Sequence, residues 1–155
     1  MAGYNVQTPS LFNVKDPISL IASDVAQLES QIITPVSATV DGDVNKTYST
    51  EELLTCSIIR KGMTADRVDA FPTATEIIEG MERKLLSIKS IPIAVKTGDQ
   101  FPIMITNVNN NGAELTFDDS DGVNNDFNTV PANQARLGYA IVISRNPDLV
   151  YVDSL

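Results

Sequence analysis

At 155 residues, 43% of them hydrophobic and 20% charged, the chain has the size and composition of one compact domain with an added arm or linker. It carries no His, a single Cys, and 11 basic against 20 acidic residues, for a formal net charge of -9. These counts exclude Ser-His-Asp and Cys-His catalysis, His-based metal sites and an intrachain disulfide. The acidic field repels phosphate backbones, so nucleic acid is not an expected partner.

In chain order, residues 1–16 show no period and read as an extended arm; Met1–Val6 lacks the basic and apolar pattern of a signal peptide. Asp16 and Pro17 then form a helix start. Ile18, Ile21, Val25, Leu28 and Ile32 follow at spacings of 3, 4, 3 and 4, a seam of about two heptads. That seam fits either an amphipathic helix lying on the domain or on a neighbour, or a helix meeting its own copies on a symmetry axis. Residues 33–47 read as a linker or edge strand, broken at Thr34-Pro35 and turned at Asp41-Gly42-Asp43. Asn45-Lys46-Thr47 matches the N-glycosylation pattern, a short pattern that arises often by chance.

Ser49 with Glu52 is a capping box and predicts a short helix, followed by a buried strand at Ser57-Ile58-Ile59. Cys56 falls in the apolar run Leu53–Ile59 and reads as a buried, inert thiol. Lys61–Phe71 is polar and reads as an ordered loop. Thr73 with Glu76 is a second capping box, opening a helix whose apolar face is Ile77, Ile78, Met81, Leu85 and Leu86.

From Ile91 the period becomes two: Ile91/Ile93/Val95, Phe101/Ile103/Ile105 and Ala113/Leu115/Phe117 alternate, with turns at Thr97-Gly98-Asp99 and at Asn109–Gly112. Residues 118–133 read as an acidic, Asn-rich loop. Residues 134–145 place Leu137, Tyr139, Ile141 and Ile143 on one strand face and Ala140 and Val142 on the other, and Leu149–Val152 is the last strand. The predicted class is mainly β: a small antiparallel β-sandwich or jelly-roll-like barrel with two short helices, preceded by an N-terminal arm plus helix. The expected division is 1–47 for docking and oligomerisation and 48–155 for the globular domain. No apolar run approaches the ~20 residues of a transmembrane helix, so no membrane partner is expected.

Two clusters carry candidate chemistry. Asp118, Asp119, Asp121 and Asp126 crowd around Gly122, but the EF-hand spacing fails, and a solvated hairpin loop is the expected reading with no metal. Asp66, Arg67 and Asp69 form a charged group that lacks a nucleophile, phosphate cradle or ligand set, so they read as residues that order a loop. No G-x-G-x-x-G, Walker A or G-x-S-x-G motif is present, and no cofactor is expected.

Leu53-Leu54, Ser57–Arg60, Thr64–Asp69, Pro72-Thr73-Ala74 and Ile77 together resemble a pattern in small virion proteins, the minor capsid, decoration or knob proteins of tailed phages and large DNA viruses. The resemblance covers about residues 48–155. It implies a capsid-associated, oligomeric β-domain without catalysis, in which Arg60, Asp66, Arg67, Asp69 and Pro72 form the loop that sets subunit geometry. The acidic loop at 118–128 departs from that pattern. The expected function is a structural virion protein assembled in a host cytoplasm. It would dock on a major capsid or other virion protein through its N-terminal region and form a homotrimer. The alternative is a receptor- or glycan-binding head using Tyr139, Tyr151, Phe101, Phe117 or Phe127.

Overall fold

The structure is a computed structural model that describes residues Ser37–Leu155. The seam residues Ile18, Ile21, Val25, Leu28 and Ile32 lie outside the described residues. The second compact unit begins after Pro35, and within it the strand Ala38–Asp41 pairs with Ser57–Lys61.

The elements run β1 (Ala38–Asp41), α1 (Thr50–Leu53), β2 (Ser57–Lys61), β3 (Arg67–Ala70), α2 (Ala74–Lys89), β4 (Gln100–Asn107), β5 (Leu115–Asp118), β6 (Val123–Asp126), β7 (Gln134–Arg145) and β8 (Asp148–Ser154). The class is mainly β with two helices among the described residues, as the alternating pattern predicts. A six-stranded sheet in the order β1-β2-β4-β7-β8-β6 faces a two-stranded sheet, β3-β5.

The pairing corrects one expectation. Only β4–β7 and β7–β8 are antiparallel; β1–β2, β2–β4, β6–β8 and β3–β5 are parallel. Parallel neighbours need a crossover, and α1 (between β1 and β2) and α2 with β3 (between β2 and β4) supply it. An alternating sequence records that a strand has two faces but not the direction of its neighbour.

Both capping boxes form as predicted. Ser49 and Thr73 accept from the N3 backbone N–H, and Glu52 and Glu76 accept in return from the cap N–H. α2 buries Ala74, Ile77 and Ile78, while Met81 and Leu85 are half-buried. Its predicted face ends there: Leu86 is exposed, as are Ile88 and Ile91 beyond it. Residues 91–95 form no strand, because the helix continues to Lys89 and Ser90 closes it in the left-handed conformation.

The inner face of the large sheet supplies Val40, Ile58, Ile103, Ile105, Ala140, Val142, Val150 and Val152 to one core with Leu53, Ile77, Ile78 and Leu115. Phe71, Phe117 and Phe127 pack between the layers, Phe71 stacked on Phe117 at 5.3 Å and Phe127 edge-on to Phe117 at 5.2 Å. β6 lies inside the segment expected to be loop. Its single buried apolar residue, Val123, gives no alternation to read.

Candidate functional site

Two regions carry the chemistry of the described residues: a buried ion pair beneath the β1–α1 loop, and the outer face of the large sheet.

The ion pair joins β2 to β3. Arg60 and Asp69 are both fully buried, and Arg60 Nε donates to Asp69 Oδ2 at 2.8 Å. The rest of the guanidinium donates to backbone carbonyls: Nη1 to Gly42 and Lys61, and Nη2 to Val44 at 2.6 Å. Asp69 also accepts from the Lys46 N–H and from the Tyr48 hydroxyl, each at 2.8 Å. A buried charge is tolerated when it is paired and hydrogen-bonded, and every nitrogen of Arg60 here has an acceptor. Burial, reinforced by the Asp69 charge, pushes the Tyr48 phenol well above its ordinary pKa, so it stays a donor. The pair therefore fastens the 42–48 segment to the sheet.

The structure redistributes the predicted loop group. Arg60 lies in β2, and Arg67 and Asp69 lie in β3, so the Lys61–Phe71 segment is a strand flanked by turns and not one loop. Arg67 pairs with Asp43 and not with the Asp66 or Asp69 carboxylates; its Nε has no partner. Asp66 accepts from the Glu114 N–H at 2.8 Å. Pro72 is buried, and its carbonyl accepts from the Ser120 hydroxyl. The Asp43 carboxyl is held below its usual pKa, chiefly by hydrogen bonds from the Thr64 hydroxyl and N–H.

Beside the pair, Asn107 and Asn109 are buried. Asn107 Nδ2 donates to the Ala113 and Val130 carbonyls, Asn109 Nδ2 donates to Asn107 Oδ1 at 2.6 Å, and the Met63 N–H donates to Asn109 Oδ1 at 2.8 Å. Asn111 continues the row by donating to the Met63 carbonyl. Sequence reading took Asn109–Gly112 as a turn alone. The missed signal is that Asn107 and Asn109 extend the period-two row of Ile103 and Ile105, which points them inward; Asn111, next in the row, is exposed.

The acidic cluster does not converge. Asp119 accepts from the Asn125 N–H, Asp126 accepts from the Tyr151 hydroxyl, and Asp118 and Asp121 are exposed. Among the described residues, no group of three or more His, Cys, Asp or Glu side chains could hold a metal ion. The Asp126 hydrogen bond raises the Tyr151 phenol to about 12. Cys56 is half-buried in the turn between α1 and β2, not inside the strand, with φ of 65°. Burial raises its thiol pKa.

On the outer face of the large sheet, β7 turns its larger residues outward. Gly138, Ala140 and Val142 face the core, while Leu137 is 50% and Ile143 48% exposed, with Tyr139 and Ile141 half-buried between them. Across β4, Met104 lies opposite Leu137 and Pro102 opposite Tyr139, both exposed. Leu149 and Leu155, 38% and 80% exposed, extend the face onto β8 and the C-terminus. A groove of about 430 Å³ runs along it, lined by Phe101, Pro102, Leu137, Tyr139 and Leu155 among others.

None of the described helices is long and apolar enough to cross a membrane. No family model, no curated protein and no solved structure matches this chain.

Proposed function

We propose that the chain is a structural virion protein, a minor capsid or decoration protein that docks on a capsid shell through its N-terminal region and forms homotrimers. The observation that carries this reading is the engagement of the charged motif residues in internal bonds. Arg60, Asp66, Arg67 and Asp69 hold β2, β3, β5 and the 42–48 segment together. A motif that sets the shape of a domain suits a protein whose work is to present surfaces at fixed angles. The seam Ile18–Ile32 supplies an apolar stripe that three short helices can share on a threefold axis.

The test uses the full chain. Val25→Asp and Leu28→Asp are expected to reduce the solution mass threefold by light scattering, and to abolish co-sedimentation with capsid shells, at unchanged circular dichroism of the β-domain. Retained trimers and retained shell binding would overturn the proposal.

The alternative, a receptor- or glycan-binding head, is favoured by one observation: Tyr139 lines the groove on the outer face, whereas Phe101 packs against the core. Phe117 and Phe127 are withdrawn from that role by their place in the aromatic core. Glycan-array binding that is lost in Tyr139→Ala would establish this reading over the first.

A further inference from the structure

We infer that the outer face of β4, β7 and β8 is an interface between two copies of this chain, meeting face to face about a twofold axis. The inference is independent of the virion setting and uses residues other than the Ile18–Ile32 seam.

The first argument is the inverted use of β7. A strand with one solvated face normally alternates apolar residues inward with polar residues outward. Here both faces are apolar, and the larger side chains point away from the core. Met104, Leu137, Ile143, Leu149 and Leu155 bring together on one face five of the ten exposed large hydrophobic side chains of the described residues. Contiguous exposure of this kind marks a contact surface, not scattered tolerance.

The second argument is charge. The chain carries a net charge of -9, so two copies repel one another through most of their surface. The outward row of β7, Leu137, Tyr139, Ile141 and Ile143, has no charged residue, nor do Pro102, Met104 and Thr106 of β4; on β8 the outward Asp153 borders this strip opposite Tyr139. A strongly charged partner would bury its charges there without counter-charges, which is costly. The surface that matches an uncharged apolar strip is another uncharged apolar strip, and a second copy provides it by symmetry.

The third argument is size. β4 and β7 pair over eight positions. At ~3.4 Å per residue and ~4.8 Å between strands, eight positions across β4, β7 and β8 span about 27 Å by about 14 Å. That is on the order of 400 Å² in projection, and the relief of the protruding Leu137, Ile143 and Leu155 side chains adds to it, against about 800 Å² of accessible surface per partner in a stable interface. Two such faces would pack as the inner faces of a sandwich do.

Sedimentation equilibrium of the full chain over a wide concentration range tests this. Leu137→Arg is expected to weaken association of copies at least tenfold and to halve the limiting mass, and Ile143→Arg, at the other end of the row, to do the same. Val25→Asp in the same experiment separates this interface from the Ile18–Ile32 seam, since it leaves a face-to-face dimer. Thermal melts of each variant control for folding, because both residues are about half exposed. A short bis-maleimide should couple Leu137→Cys to a second copy in a Cys56→Ser background. A wild-type chain that stays monomeric throughout, or masses unaltered by both arginine variants together with no coupling, would overturn the inference.

Discussion

The Arg60–Asp69 pair and the outer face of β7 lie in one sheet system and obey opposite rules. At the pair, polar groups are buried and nearly every donor meets an acceptor. On the outer face, apolar groups are exposed and meet nothing among the described residues. Each inverts the usual partition of polar outside and apolar inside, and the difference lies in where the missing partner is. The pair finds its partners within the domain, so its residues determine stability. The face has none there, so its residues should determine association and leave stability almost untouched.

That contrast can be broken at the pair first. Asp69→Ala leaves Arg60 buried without its counter-ion and removes the acceptor of Tyr48 and Lys46. A loss of about 3–5 kcal/mol is expected in urea unfolding, enough to abolish cooperative folding of a marginally stable domain. Next comes Gly138, where β7 turns its small side inward. A Cβ there would collide with the Asp153 carbonyl oxygen of β8 and come within 2.6 Å of Phe127 Cε2. Gly138→Ala is expected to cost about 1–3 kcal/mol by overpacking, read by the same titration.

A smaller effect is expected at the helix cap. Thr73→Ala removes the acceptor of the Glu76 N–H and the hydroxyl donor to the Glu76 carboxylate, at about 1 kcal/mol. Those hydrogen bonds, the hydroxyl's first and the Thr73 N–H second, hold the Glu76 pKa below its ordinary 4.5. A depressed folded-state pKa means the contribution is complete above the unfolded value and is lost as pH falls through the folded one. The difference between wild type and Thr73→Ala should therefore shrink below about pH 4.5 in thermal melts followed from pH 7 to pH 3. The smallest stability effect is expected on the outer face, where Leu137→Arg should change monomer stability by no more than about 0.5 kcal/mol. A loss there as large as that of Asp69→Ala would erase the distinction between the two regions.

The sequence makes the local devices of this fold readable and hides the long-range ones. Ser49/Glu52 and Thr73/Glu76 are legible because a cap is settled within four residues. β4, β5 and β8 are legible because alternation survives in them. The direction of strand pairing is not, since β1, β2 and β4 pair in parallel through crossovers that leave no mark on each strand's own pattern. The partner of Arg60 is equally hidden. Asp66, Arg67 and Asp69 look like one group, yet Asp66 precedes β3 and is taken up by the Glu114 N–H, Arg67 reaches to Asp43, and only Asp69 is buried against Arg60. The division of β7 into two faces is legible, and which one turns inward is settled by volume: Phe127 occupies the space above Gly138, so only small side chains fit inward there.

That arrangement of β7 bears on how the protein can change over generations. Its inner row, Gly138, Ala140 and Val142, is confined by close neighbours and leaves little room for substitution. Its outer row, Leu137, Tyr139, Ile141 and Ile143, is free of that constraint. Descendants of this chain could exchange the outer residues one at a time, acquiring or discarding associates, while the scaffold beneath is inherited unaltered.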